Sequence, residues 1–157
     1  MNLRRARSDD VTAISELVSK AYGKYVERIG RKPKPMTADY RLAVAEHQLW
    51  VFEFQGEVGA VIELVPCTGY LLIENVAVDP KRQGAGVGKA LLGFAETEAL
   101  RQGFPEVRLY TNARFAENLV IYGKIGYRET HREQIGATEA VHMAKDLRPS
   151  LAANEIP

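Results

Sequence analysis

The sequence predicts an α/β fold, with about seven strands flanked by about four helices in a single domain. Three observations predict it. Apolar residues recur with periods near two in some segments and near 3.6 in others. Turns containing Gly or Pro separate these segments. The 157 residues suffice for one substantial core and are few for two. Residues 1–148 are read as the domain and 149–157 as a C-terminal tail.

Each element has its own reason. Asn2 to Ala6 is a short first strand. Ser8 is placed to cap the following helix, with Asp9 and Asp10 in its first turn, where carboxylates suit the positive helix end. Val11, Ile14, Val18, Tyr22 and Tyr25 then recur at helical spacing. The stretch Gly30-Arg-Lys-Pro-Lys-Pro35 breaks that helix, and Thr37 caps a second one running through Glu46. Leu49 to Phe54 is a strand, Gln55-Gly56 a tight turn, and Val58 to Val65 its hairpin partner. Pro66-Cys-Thr-Gly69 turns the chain into Tyr70 to Val78, whose apolar character predicts burial on both sides. Val87, Ala90, Leu91 and Phe94 form the stripe of a third helix ending near Gly103. Val107 to Thr111 is a strand, Ala116 to Lys124 a short helix, and two strands near Tyr127 to Gln134 and Glu139 to Asp146 surround Gly136.

Charge and cysteine content exclude several classes of function. The net charge of +1 gives no global field toward nucleic acid or an anionic membrane. The single cysteine, Cys67, rules out an internal disulfide and fits a reducing compartment. The basic opening MNLRRARSDD is not followed by an apolar segment of the secretory type, and no apolar run approaches the ~20 residues that span a bilayer. A cytoplasmic protein is expected. His47, His131 and His142 lack ligand spacing, so no metal site is expected.

The stretch VAVDPKRQGAGVGKALL, Val76 to Leu92, carries the chemistry. A Walker loop requires Gly-x-x-x-x-Gly-Lys-Ser/Thr, but Gln83 stands at the first glycine and Ala90 at the hydroxyl that would hold magnesium. A dinucleotide fingerprint counted from Gly84 puts Lys89 on its third glycine, and Asp79-Pro-Lys-Arg82 separates strand from loop. What remains is Gln-x-x-Gly-x-Gly, written by Gln83, Gly86 and Gly88, between a strand and a helix. Glycines let a backbone approach phosphates, and successive N–H groups with the positive helix end stabilise the anion.

This pattern resembles the pyrophosphate loop of the GNAT acetyltransferases. The likeness extends to the element order and to LYTNARFAENLVIYGKIGYRET, where Tyr122 on a short helix precedes Gly126-Tyr127. It covers nearly the whole chain. One departure is Phe115, where many members carry asparagine seven residues before the tyrosine; Asn118 lies one helical turn closer. The resemblance implies a mixed, mostly antiparallel central sheet and acetyl-coenzyme A as co-substrate. It implies coenzyme contacts from Val76, Ala77, Val78, Gln83, Gly84, Ala85, Gly86, Val87, Gly88, Lys89, Asn112, Asn118 and Tyr122.

The resemblance also implies chemical roles. Tyr122 is the general acid for the leaving thiolate, since a phenol near pKa ~10 can protonate a thiolate whose thiol is near ~8.5. Glu74 shares a strand face with Val76 and Val78 and has two readings. It receives the amine proton or attracts the ammonium form, or it is an ion pair with a neighbouring Lys or Arg. Glu63 on the partner strand is a weaker alternative base. Cys67 stands in a turn and is not expected to form an acyl-enzyme.

Tyr22, Tyr25, Arg28, Met36 and Tyr40 are assigned to the acceptor site, with Glu74. Lys24, Arg28, Arg31, Lys32 and Lys34 make that stretch basic, which favours an acceptor bearing an anion beside its amine; a solvated loop over core tyrosines is the alternative. The expected activity is direct acetyl transfer to a primary amine of a small molecule through a ternary complex. Modification of a protein lysine or N-terminus, and a non-catalytic acetyl-coenzyme A-binding module, are the alternatives. A homodimer is left open.

Overall fold

The structure is a computed structural model that describes residues 2–148, so the tail expected at 149–157 lies outside the described residues. The described chain divides into two compact units. The first comprises residues up to Val65 together with Ile73–Phe94, and the second Pro66–Leu72 with residues from Ala95 onward.

In the first unit, β1 (Asn2–Arg5) pairs antiparallel with β2 (Gln48–Phe54), and β2 with β3 (Glu57–Pro66). The strand order there is β1-β2-β3-β4, with β4 spanning Leu71–Val78. Gln55 (φ 52°) and Gly56 (φ 82°) both turn left-handed between β2 and β3, the backbone that a two-residue hairpin requires. Helices α1 (Val11–Tyr22), α2 (Tyr25–Ile29), α3 (Lys34–Thr37) and α4 (Tyr40–Glu46) lie between β1 and β2 in sequence. Ile14, Leu17, Val18 and Ala21 of α1 and Ala43 of α4 form a core with Leu49, Val51, Val61 and Ala77. Helix α5 (Val87–Arg101) begins in this unit.

In the second unit the order is β5 (Glu106–Asn112), β7 (Thr138–Asp146), β6 (Arg128–Ile135), with both pairings antiparallel. Helix α6 spans Ala116–Lys124. Val107, Leu109, Val141, Ala144 and Tyr127 are buried, whereas every residue of β6 is exposed.

Four sequence expectations need correction. The run from Val11 to Tyr25 is two helices parted at Gly23-Lys24, and α3 is an extra short helix, so six α-helices are described rather than about four. Ser8 does not cap α1; it begins a 3-10 turn over Ser8–Asp10, and the Asp10 carboxylate folds back onto the Arg7 N–H at 2.7 Å. Thr37 ends α3, and Asp39 caps α4 by accepting from the Arg41 and Leu42 N–H groups. The strand buried on both faces is β3 from Gly59 to Leu64; β4 alternates between buried and half-buried residues.

Candidate active site

The alternation of β4 sorts its side chains. Leu71, Ile73, Asn75 and Ala77 are buried, while Glu74, Val76 and Val78 share the half-buried face, as the period of two requires. After Val78 the chain does not enter α5 directly. Asp79 donates its N–H to Gly59 O at 2.9 Å and caps a 3-10 turn over Pro80–Arg82, accepting from Lys81 N–H at 3.0 Å. Gln83 then reaches back, its Nε2 donating to Val78 O at 3.1 Å. The side chain named by the motif therefore fastens the loop to the end of the strand.

A second fastening was not foreseen. The Arg82 guanidinium stands 3.9 Å over the Phe54 ring, where stacking is attractive. This stack needs glycine at position 59, because a Cβ there would fall 2.4 Å from Phe54 Cδ2 and 2.9 Å from Arg82 Cδ. Nothing in the local sequence periodicity announces that packing; only the hairpin register brings the three residues together.

Gly84 (φ 85°) and Gly86 (φ 83°) adopt backbones that other L-residues rarely accept. Gly88 differs. It is helical, and a Cβ there would meet only Val78 Cγ2, at 3.9 Å, an ordinary contact. The fold itself does not need glycine at 88, and glycine costs about 0.5–1 kcal/mol against alanine within a helix. The first intrahelical bond runs from Ala90 N–H to Gly86 O at 3.0 Å. By helical geometry the N–H groups before it have no earlier carbonyl to bond and point out of the helix start. Bare backbone, open space and outward N–H groups are what a pyrophosphate requires, so the residues present fit acetyl-coenzyme A.

Three helices are tied to β4. Tyr22 of α1 donates its hydroxyl toward Asn75 Oδ1 at 2.8 Å and Val76 O at 3.0 Å. Asn75 Nδ2 donates to the Tyr40 hydroxyl of α4 at 3.1 Å, which donates to Pro35 O of α3 at 2.6 Å. Asn75 is buried, and the sequence analysis missed it by treating β4 as apolar throughout. The available signal was a polar amide on the inward parity of an otherwise apolar strand. Burial pushes the Tyr40 phenol well above its usual range, with the charges of Glu63 and Glu74 adding to the effect.

The remaining predicted acceptor residues divide. Tyr25 is buried and carries the Lys24 ammonium and the Arg28 guanidinium over its ring, each at 5.1 Å from the centroid. Met36 packs, half-buried, against the α1–β2 core. Glu74 pairs with Lys34 Nζ at 3.1 Å, so the ion-pair reading describes its local geometry. Glu63 is more deeply placed, with 7% of its side chain exposed, and its Oε2 lies 2.6 Å from His47 Nδ1. Burial raises its carboxyl pKa; His47 and Lys34 oppose that and Glu74 adds to it.

The second unit holds the other predicted residues. Asn112 ends β5 and accepts from the Arg114 N–H at 2.9 Å. Asn118 and Tyr122 are on α6, both half-buried, and the Tyr122 ring meets Tyr127 edge-on at 5.9 Å. Phe115 is buried at the start of α6 as a core side chain. Burial also raises the Tyr127 phenol, and its hydroxyl has no hydrogen-bond partner among the described residues.

Residues 39–129 match the acetyltransferase (GNAT) domain model, and the chain belongs to that family, whose members transfer acetyl groups from acetyl-coenzyme A. The chain is similar to mycothiol acetyltransferase of Kocuria rhizophila, at 34% identity over 56 residues. That match covers 36% of this chain and 18% of the relative, so the chain spans about a fifth of that protein's length. It is 25% identical over 143 residues to the uncharacterized N-acetyltransferase YjgM of Escherichia coli, covering 80% of each. Among solved structures, PaiA N-acetyltransferase of Thermoplasma acidophilum, in complex with coenzyme A, superimposes with a TM-score of 0.77 at 16% identity. That alignment covers 92% of this chain and 98% of the other, and it supports the α/β fold expected from the sequence.

Among the described residues, no helix is long and apolar enough to cross a membrane.

Proposed function

We propose that this chain transfers acetyl from acetyl-coenzyme A directly to a primary amine of a small molecule, in a ternary complex. The observation that carries the proposal is the Gln83–Lys89 loop, above all Gly88, a glycine the fold does not need. Acetyl-coenzyme A supplies an acetyl group activated as a thioester. The N–H groups of Gly86 to Lys89 are assigned to its pyrophosphate, and the β4 backbone from Val76 to Val78 to its extended arm, in the manner of an added strand.

Tyr122 is assigned to protonate the leaving thiolate, and Glu74 to draw the ammonium form of the acceptor, exchanging its Lys34 partner for it. A small acceptor is supported by the cover over β4. On the Glu74 face, Lys34 of α3 reaches the carboxylate at 3.1 Å, so a helical segment borders the position assigned to the acceptor. Direct transfer is supported by the place of Cys67, in the turn before β4, where its backbone N–H donates to Tyr70 O at 2.9 Å.

The test is free-thiol release from acetyl-coenzyme A across amines, amino acids and peptides. Amine-dependent release with intersecting double-reciprocal lines is the expected result. Release only with peptides would move the assignment to protein modification. Tight coenzyme binding with no release above hydrolysis would leave a binding module.

A further inference from the structure

Acetyl transfer to an amine creates a proton problem that the residues assigned so far do not solve. An ammonium and a thioester yield an amide, a thiol and one proton, so one N–H proton must pass to a base before the nitrogen can attack. Glu74 is poorly suited. Its carboxylate already lies 3.1 Å from the Lys34 ammonium, a geometry built to hold a cation.

Glu63 is placed differently. It stands on β3 between Ile62 and Leu64, both 0% exposed, and opposite the buried Leu49 of β2. A carboxylate in such a segment is costly to the fold unless it is bonded or used. One oxygen, Oε2, is taken by His47 Nδ1 at 2.6 Å. His47 is itself anchored at the end of α4, where its N–H donates to Ala43 O at 2.8 Å, and its ring is partly exposed. With Nδ1 donating to Oε2, the carboxylate is fixed in orientation and Oε1 remains to receive a proton. Four ionisable groups face Glu63: His47 from the α4–β2 junction, Glu74 from β4, Lys34 from α3 and Tyr40 from α4.

We propose that Glu63 is the general base of the reaction, oriented by His47, while Glu74, giving up its Lys34 partner, holds the incoming ammonium. This assignment rests on the acetyl-transfer reading. In the step, an N–H bond of the ammonium breaks and an O–H bond forms at Glu63 Oε1. That proton returns to solvent as product leaves, so the carboxylate is restored each turnover. On collapse of the tetrahedral adduct the C–S bond breaks and Tyr122 gives its O–H proton to the thiolate. The second N–H proton leaves nitrogen and replaces the one Tyr122 gave. Burial supports the choice, because it makes this carboxylate a stronger base than an exposed one, closer to the optimum near neutral pH. His47 and Lys34 are positioning residues that tune it.

The experiment is the pH dependence of kcat with the best amine from the thiol-release screen, in wild type and four single variants. Glu63→Gln should lower kcat roughly 10²–10³-fold and flatten the acidic limb, as expected for loss of a general base. Glu74→Gln should keep that limb, move it to lower pH because a charge that raises the Glu63 pKa is gone, and raise KM for the amine. His47→Asn and Lys34→Met each remove a group that lowers the Glu63 pKa, so each should move the limb to higher pH.

Circular dichroism and calorimetric titration with acetyl-coenzyme A check that each variant is folded. If Glu63→Gln does not fold, the opposite shifts of Glu74→Gln and His47→Asn decide the matter on chains that retain Glu63. A limb abolished by Glu74→Gln, or unmoved by His47→Asn, overturns the proposal. Absence of amine-dependent turnover in the wild type is a different result, and overturns the acetyl-transfer reading itself.

Discussion

Replacing Gly88 with alanine should separate what is good for the fold from what is good for the ligand. The position is helical, and the new methyl would lie 3.9 Å from Val78 Cγ2 with no other neighbour within 4 Å. Alanine should therefore stabilise the free protein by about 0.5–1 kcal/mol, the usual helix preference over glycine. For a chain of this size that raises Tm by roughly 1–4 °C. The same methyl occupies the space in front of the helix start, where the phosphate oxygens would approach. Loss of one charge-assisted hydrogen bond from an N–H to a phosphate oxygen is worth about 1.5–3 kcal/mol, or roughly 10- to 100-fold in Kd. Gly86→Ala is the control. Its φ of 83° should cost about 1–2 kcal/mol on alanine substitution and lower Tm. Scanning calorimetry of the free proteins and calorimetric titration with acetyl-coenzyme A provide both readouts. Gly88→Ala with unchanged affinity in a folded protein would refute the loop assignment. A fall in its Tm would refute the claim that the fold does not need glycine there.

Three further outcomes are expected. Tyr122→Phe should reduce turnover roughly 10²–10³-fold at little cost in Tm or acetyl-coenzyme A affinity, as general-acid loss predicts; full turnover with a chemistry-limited amine would make Tyr122 a packing residue. Tyr127→Phe should do the reverse, raising stability by up to roughly 1 kcal/mol and leaving turnover intact, because its buried hydroxyl forms no bond among the described residues. Asp10→Asn should destabilise at neutral pH by about 3 kcal/mol, since Arg4 binds both carboxylate oxygens at 2.8 Å and pulls the Asp10 pKa below its ordinary value. That contribution is present above the ordinary aspartate range and lost as pH falls through the lowered pKa, so wild type and variant should converge in acid unfolding.

The sequence revealed those parts of this protein where chemistry is local. The left-handed Gln55-Gly56 turn and the loop from Gln83 follow from turn and glycine preferences within a few residues, and the short helix α6 lies where the sequence placed it. Errors arose where two nearby residues competed for one local role, as Ser8 did with Asp10 and Thr37 with Asp39. Asp39 took the cap of α4 from Thr37, whereas Asp10 turned its carboxylate back to the Arg7 N–H and left α1 without a side-chain cap. The burial of β4 departs from expectation because apolar Val76 and Val78 share the half-buried parity of the strand with Glu74. The Glu63–His47 pair and the Gly59–Phe54–Arg82 packing join residues distant in sequence, and only strand register brings them together.

The Tyr22 hydroxyl carries a single hydrogen and faces two acceptors at nearly equal range, Asn75 Oδ1 and Val76 O. It cannot serve both at full strength, so in the free protein one of them is always underfed. A donor arriving from outside at Val76 O would relieve this shortage. The tyrosine hydrogen would settle on Asn75, and the newcomer would gain a bond without any existing bond being broken. This stretch of β4 thus greets a ligand with an acceptor already partly vacated, and its neighbours need not move. A phenylalanine at position 22 would remove that reciprocity. Val76 O and Asn75 Oδ1 would both lose the tyrosine donor, and the Asn75–Tyr40–Pro35 chain would be anchored at one end only.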